Sequence, residues 1–514
     1  MALNGTLQSI ILNYITVTKI YDTFSEMIAD TTITENQKVE TLGYYTKNDG
    51  GGALYYVGDT IISPVVISNN DLYYNMIIEK NEIPFNCLGG KGDDNTFNNS
   101  PILQNALSII TNKNLKLLFT NKEYYFADSI SVDDIRLCEI TSNYISRLYF
   151  TGNGWFFSTP ITNNITISNL QIYGNNANNG LFFGDTNCYR TFLRNVEMRQ
   201  FVKSIYIGRG AYFYIINCNL YANTNNDCVL QIGNSTSRLN NELIYIESSI
   251  FAGAEALTST GDFIRIYQVS TLRVINTDFA NTQGKWLYFD NTPEGDIFDI
   301  SFTNCQFTRA KHGIDFYLTK NKFIENMYFD NCFFSLYGNW SDGEDKIINV
   351  RRTNGGIENS YFKNNTITQI YTNYSPDYFF YDSSNTSKIF INILRKPNIA
   401  NKFLIAGTQG LFENLSYTLG TNISAVNLTV QKNKLTNTIQ VLGLLKNTEG
   451  NITAYSSLLT CEYLKPINVN QNFLAIADDG TCFPLYIENG ILKNRKAIPQ
   501  NTNARLIINF ETLA

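Results

Sequence analysis

The sequence predicts an all-β chain wound as a right-handed parallel β-helix, and three observations carry that prediction. One six-residue phrase (apolar, any, Asn or Ser, any, any, apolar) occurs eight times between Ile167 and Phe362. Its central residues, Asn169, Asn195, Asn217, Ser248, Asn276, Asn304, Asn331 and Asn359, stand 26, 22, 31, 28, 28, 27 and 28 positions apart. The segments between them alternate like strands and end in turn residues, so each unit buries its apolar face only by stacking on its neighbours.

Side chains alternate along a strand, so the first apolar residue of the phrase and the Asn two positions later are expected to point inward together. A bend follows the Asn. The next residue is Leu170, Val196, Cys218, Ser249, Thr277, Cys305, Cys332 or Ser360, apolar or small in every copy. Inward Asn side chains would form a structural ladder, Asn169, Asn195, Asn217, Asn276, Asn304, Asn331 and Asn359, each amide bonding to the coils above and below. The other reading is that each Asn only supplies a left-handed turn conformation. Either role is structural.

Composition narrows the function. With 514 residues the chain exceeds one compact core, and a net charge of -6 argues against nucleic acid as partner. The N-terminus MALNGTLQSIILNY lacks the basic start and small-residue cleavage site of a signal peptide, and no run approaches about eighteen apolar residues. The expectation is a soluble protein, made in a host cytoplasm, without membrane insertion. Nine cysteines, odd in number and without CxxC spacing, read as buried thiols, and His312 is the only histidine. No metal site, cofactor or catalytic triad is expected. GlyGlyGly at 50–52 lacks the Lys and the strand-to-helix context of a phosphate loop.

Ahead of the repeat the chain reads ETLGYYTKNDGGGALYYVGD from Glu40 and FNCLGGKGDDNTFNNSPILQNALSII from Phe85. These stretches resemble the head of phage tailspikes and other members of the pectate-lyase-like β-helix superfamily. There a strand ends in a Gly-Lys-Gly-Asp turn and a short amphipathic helix caps the solenoid. Gly89, Gly90, Gly92 and Asp93 match the turn, Ser100 and Pro101 suit N-cap and N1, and Ile102, Leu103, Ala106, Leu107 and Ile110 form one apolar face. Where the family usually has two Asp before this helix, the chain has Asn98 and Asn99, with Phe97 as an insertion.

The expected organisation is a virion-attachment segment 1–40, the β-helix head and capping helix 41–115, the β-helix 116–395, and a C-terminal β-rich trimerisation or receptor-binding domain 396–514. In the first segment, Leu3 to Tyr21 and Thr23 to Ala29 suit a short helix or docking strands. The last domain resembles the terminal β-sandwich of some tail fibres, and Asp479-Gly480 and Asn489-Gly490 are hairpin signals. The resemblance implies a tail appendage that recognises bacterial surface polysaccharide or teichoic acid, joins phage tail or collar proteins through its N-terminus, resides in the virion tail and assembles as a homotrimer.

A second strand follows each Asn phrase: CVLQIGN, DFIRIYQ, KWLYFDN, HGIDFYL and DKIINVRR. Aligning their inward apolar residues places Gln231, Arg265, Tyr288, Asp315 and Asn349 in one outward stripe. Such a mixture suits a sugar chain, with an aromatic face for the ring and polar groups for hydroxyls. Without a ligand it is an ordinary solvated sheet face. Gln231, Arg265, Tyr288 and Asn349 are the candidate substrate-binding residues.

Asp290 and Asp315 are the candidate catalytic carboxylates, with Asp262 and Asp299 near them, because glycoside hydrolysis needs two carboxylates on adjacent or alternate coils. Glu197, Asp278, Asp330 and Glu358 form a more scattered set, and His312 beside Lys311 is a further acid or stabiliser. A lyase would use Arg265 with Asp290 and Asp315. Adhesion without cleavage, and a purely structural fibre, both stay open.

Overall fold

The computed structural model describes residues 17–511 apart from 121, 224–226, 235, 237–240, 254–258, 292–295, 319–322, 337–345, 353–355, 359, 370–377, 383–388, 396–403, 407–411, 415–416, 421–422, 434–437, 448–453, 455, 462–471, 478, 480, 490 and 501. Residues 1–16 and Asn359 therefore lie outside the described residues. Two compact units emerge, Met1–Ser384 with Ile391–Gly407, and Asn385–Phe390 with Thr408–Ala514.

The first unit begins with a five-stranded sheet over residues 17–76, in which Val17–Tyr21 pairs in parallel with Lys38–Thr41. A short helix, Phe24–Ala29, is capped by the Thr23 side chain, which accepts from the Glu26 N–H at 3.2 Å. The apolar spacing of 3–21 thus resolves to a strand over its described part. Next comes the helix Ser100–Ile110, whose face of Leu103, Ala106, Leu107 and Ile110 is buried and whose Ile102 is half-buried. Its N-cap is Asn99 rather than Ser100. The Asn99 amide is committed elsewhere: it accepts from the Lys91 N–H at 2.8 Å and donates to the Lys91 carbonyl at 3.0 Å, tying the Gly-Lys-Gly-Asp turn to the helix. That turn requires a left-handed start, which Gly89 supplies at φ 94°.

From Glu82–Pro84 to Leu404–Ala406 every successive coil pairs in parallel with the one before it, which is the parallel β-helix. Its strands fall into three faces. The first face stacks Leu115–Phe119 and 138–142, then 165–167, 191–194, 213–216, 244–247, 272–275, 300–303 and 327–330. The second follows the Asn corner, and the third holds Lys203–Ile207, Cys228–Ile232, Asp262–Ile266, the ends of Asp278–Asp290 and Gln306–Leu318, Lys346–Arg352 and Tyr378–Asp382.

Stacking of like on like fills the interior. Phe251, Phe279, Phe307 and Phe334 form one column with ring centroids 5.1, 4.8 and 4.9 Å apart, and Phe302, Phe329 and Phe362 another at 4.7 Å per step. Each offset ring pair adds about 0.5–1.5 kcal/mol beyond the area it buries.

The Asn corner departs from the inward expectation. Asn169, Asn195, Asn217, Asn276, Asn304 and Asn331 all adopt φ between 51° and 56°, and all but half-buried Asn169 are exposed. A left-handed residue interrupts the strand alternation, so the Asn side chain turns out while the residues on either side of the bend, such as Ile167 and Leu170, both face in. The amides still bond along the outer edge: Asn195 Nδ2 donates to Asn169 Oδ1 at 3.0 Å, Asn304 to Asn276 at 3.2 Å and Asn331 to Asn304 at 2.8 Å. Ser248, too short to bridge, stands between Asn217 and Asn276. The interior polar column belongs instead to the next residue, where Cys218, Cys305 and Cys332 thiols donate to the Leu193, Val274 and Phe302 carbonyls of the preceding coil.

Among the described residues of the second unit, nine antiparallel strands join in one hydrogen-bonded sheet over an apolar core that includes Val441, Leu459, Phe483, Leu492, Leu506 and Ile508. Hairpins connect Asn472–Ala477 to Cys482–Glu488 and the latter to Ile491–Asn494, with Asn489 at φ 52°. Gly480 and Gly490 of the two hairpin signals lie outside the described residues.

Candidate functional site

The third face of the helix carries the outward stripe. Gln231 pairs with Arg265, Arg265 with Tyr288, Tyr288 with Asp315 and Asp315 with Asn349, each one coil further on. The reason is local: Leu230, Ile264, Leu287, Ile314 and Ile348 are all buried, and period-two alternation turns the following residue outward. Two residues that sequence reading missed extend the column, because Gln231 pairs with Tyr206 and Tyr206 with Phe182. Their rings stack at 4.8 Å, and Trp155 packs against Phe182 at 5.2 Å. The signal was present in KSIYIGR, which aligns with CVLQIGN by the same alternation. Asn349 in turn pairs with Tyr381.

Outward does not mean solvated here. Gln231, Asp315 and Asn349 are 8%, 5% and 7% exposed, so ladder neighbours and ion pairs cover them. Arg265 donates to Asp227 at 2.8 Å and to Asp262 at 2.9 Å. Lys203 donates to Gln231 at 2.5 Å and lies 3.4 Å from Asp227. Lys285 stands 3.9 Å from both Asp262 and Asp315, and Arg351 reaches Asp315 at 3.1 Å. The stripe is therefore an alternating ladder of acid and base, with Tyr288 at its centre. Burial opposes the charge on Arg265, and the fields of Cys228, Asp262 and Asp227 outweigh it, holding the guanidinium above its ordinary value.

Asp290, 9% exposed, accepts from the Tyr288 hydroxyl at 3.4 Å. Burial, followed by the charges of Asp290 and Asp315, pushes that hydroxyl above its ordinary value, so Tyr288 acts as a donor. Asp290 pairs with Tyr317, two residues beyond Asp315 on the next coil, and so the two carboxylates are diagonal to each other, with Tyr288 next to both. His312 falls in register with Lys285, at the start of the same strand segment as Asp315.

The remaining candidates are not gathered here. Asp299 binds Arg273 at 2.6 Å on the first face. Glu197 binds Arg199 and belongs with Asp278 to the second face, and Asp330 binds Lys363 at 3.2 Å. Nothing is described for the Glu358 side chain.

No protein-family model matches the chain, and no curated protein matches it. Among solved structures it is similar to the tailspike protein gp49 of Acinetobacter baumannii bacteriophage Fri1, described as a capsular polysaccharide depolymerase, at 11% identity over 97% of this chain and 98% of that one, with a TM-score of 0.46. It is also similar to the tailspike protein of Acinetobacter baumannii phage AM24, at 12% identity over 96% and 94% of the two chains with a TM-score of 0.43. A third is Pantoea stewartii WceF, a glycan biofilm modifying enzyme with a tailspike-like parallel β-helix, at 11% identity over 95% and 71% with a TM-score of 0.41. The assignment of this chain to the parallel β-helix fold rests on its own strand pairing, described above.

Proposed function

We propose that this protein is a phage tailspike or tail-appendage protein that recognises bacterial surface polysaccharide through the third-face stripe. The observation that carries the reading is the unbroken outward column from Phe182 through Tyr206, Gln231, Arg265, Tyr288 and Asp315 to Asn349. Half-buried Trp155 and Phe182 at one end supply apolar surface for sugar rings, and the ion-paired polar groups beyond them are fixed before any ligand arrives, which lowers the entropic cost of binding. The resemblance of the head region agrees with this reading, and it extends to residence in the virion tail and attachment to tail or collar proteins through the N-terminus.

Assembly as a homotrimer belongs to the same reading. Leu442, Leu474 and Ile476 are 37%, 54% and 50% exposed on one face of the C-terminal sheet, an apolar surface suited to further copies of the chain.

Cleavage of the bound polymer is a second reading, favoured by the diagonal placement of Asp290 and Asp315 about Tyr288. Incubating the full chain with cells and extracted surface polysaccharides of a bacterial panel, and scoring bound protein together with new reducing ends, separates the two. Binding with release, lost in Asp290→Asn and Asp315→Asn while binding persists, makes the protein a depolymerase. Binding without release makes it an adhesin. Failure to bind any polysaccharide or cell of the panel would sink both.

A further inference from the structure

The second face, just below the capping helix, holds a groove that lies outside the stripe and outside the reading above. Asp93, Lys122, Glu123, Ile145, Arg147 and Gln171 line an open groove of about 300 Å³, at the lower end of the range that takes a small ligand. Glu123, Arg147 and Gln171 come from neighbouring coils stacked in register, Arg147 pairing with both of the others, Lys122 and Ile145 lie just ahead of the strands of Glu123 and Arg147, and Asp93 comes from the head. The head is fastened there by backbone: the Asp93 N–H donates to the Glu123 carbonyl at 2.7 Å, and the Asp93 carboxylate accepts from the Glu123 N–H at 3.1 Å.

Charge alternates across the groove. Lys122 stands 4.0 Å from Asp93, Arg147 donates to Glu123 at 2.9 Å and to Gln171 at 3.2 Å, and the Tyr125 hydroxyl donates to Glu123 at 2.9 Å. The Arg147 bond, and then that of Tyr125, holds the Glu123 carboxyl below its ordinary value. Two acids and two bases leave the groove without net charge, so it does not select a phosphate-bearing or acidic polymer. Carboxylates, a guanidinium and an amide are instead the groups that bond neighbouring hydroxyls. Ile145 in the lining is 60% exposed, apolar surface for the C–H face of a pyranose ring. Beside it, in the next outward column of the same strands, Tyr125, Tyr149 and Tyr173 stack at 5.0 Å per step and stiffen this face.

We infer that this groove is a second saccharide site, which takes a short neutral sugar segment. A two-site protein gains avidity on a polymer that spans both faces.

Saturation-transfer NMR on the full chain tests this, with methyl glycosides of glucose, galactose, mannose and N-acetylglucosamine as neutral probes and glycerol 3-phosphate as the anionic one. At least one glycoside should receive saturation, and the transfer should fall about fivefold or more in both Arg147→Met and Ile145→Ser. Transfer undiminished in the two variants, transfer to glycerol 3-phosphate alone, or none to any glycoside overturns the inference. Should Arg147→Met fail to fold, Ile145→Ser decides, since the Ile145 side chain lies largely in solvent.

Discussion

The Arg265 guanidinium lies over the Tyr288 ring, 5.8 Å from its centroid, one coil apart in the same outward column. Lys285 approaches the same ring at 4.9 Å, so one tyrosine is flanked by two cations while its hydroxyl bonds to Asp290. Such contacts are worth about 0.5–2 kcal/mol each, according to how dry they are. They make Tyr288 the point where the aromatic and ionic parts of the stripe meet.

Removing Arg265 should therefore cost both fold and binding. In Arg265→Met, the carboxylate of Asp262, 8% exposed, loses its closest cation. Equilibrium urea unfolding should show a loss of about 1–3 kcal/mol. Polysaccharide retention should also fall, and unchanged stability would mean that solvent already screens the pair.

Truncating the aromatic column should be more severe. Phe307 is fully buried between Phe279 and Phe334, and Phe307→Ala should lower stability by about 3–5 kcal/mol. Because each coil contacts only its neighbours, hydrogen exchange should quicken first in the coils around residue 307.

At the corner, backbone conformation should outweigh the amide ladder. Asn304 sits at φ 54°. Asn304→Gly keeps that conformation at little steric cost, whereas Asn304→Ala adds a left-handed penalty of about 1–2 kcal/mol. Thermal unfolding of the two variants should rank Gly above Ala, and the reverse order would mean that the backbone preference does not govern this position.

Asp278 offers a pH test. Burial raises its pKa above the ordinary 3.8. A carboxyl that binds its proton more tightly in the folded than in the unfolded state destabilises the fold once both are ionised, and the cost disappears as pH falls below the unfolded value. Asp278→Asn should therefore be more stable than wild type at pH 7, with the difference shrinking towards pH 3.8, as followed by urea midpoints at each pH.

What could be read from sequence was what repeats. The six-residue phrase, recurring every 22 to 31 residues, and the alternation of Leu230, Ile264, Leu287, Ile314 and Ile348 set the coil and the register, and with them the order Gln231, Arg265, Tyr288, Asp315, Asn349. A one-residue slip would turn every apolar side chain to the surface, so pattern alone determines which residues share a column.

Direction at the corner and company across coils were decided by the tertiary structure. The same Asn pattern fits an inward residue or a left-handed one, and only closure of the coil selects φ near 54° and sends Asn217 or Asn304 outward. Lys285 and Arg351 stand on the third-face strands in register with His312 and Tyr317, but that they close on Asp315, and Asp227 on Arg265, was decided by side-chain contact between coils. The groove at Arg147 depends on Asp93 arriving from the head, 30 residues before Glu123. Local alternation fixes which way a strand residue points; ion pairs and grooves form between segments whose separation depends on loop paths, and these carry no repeating signal.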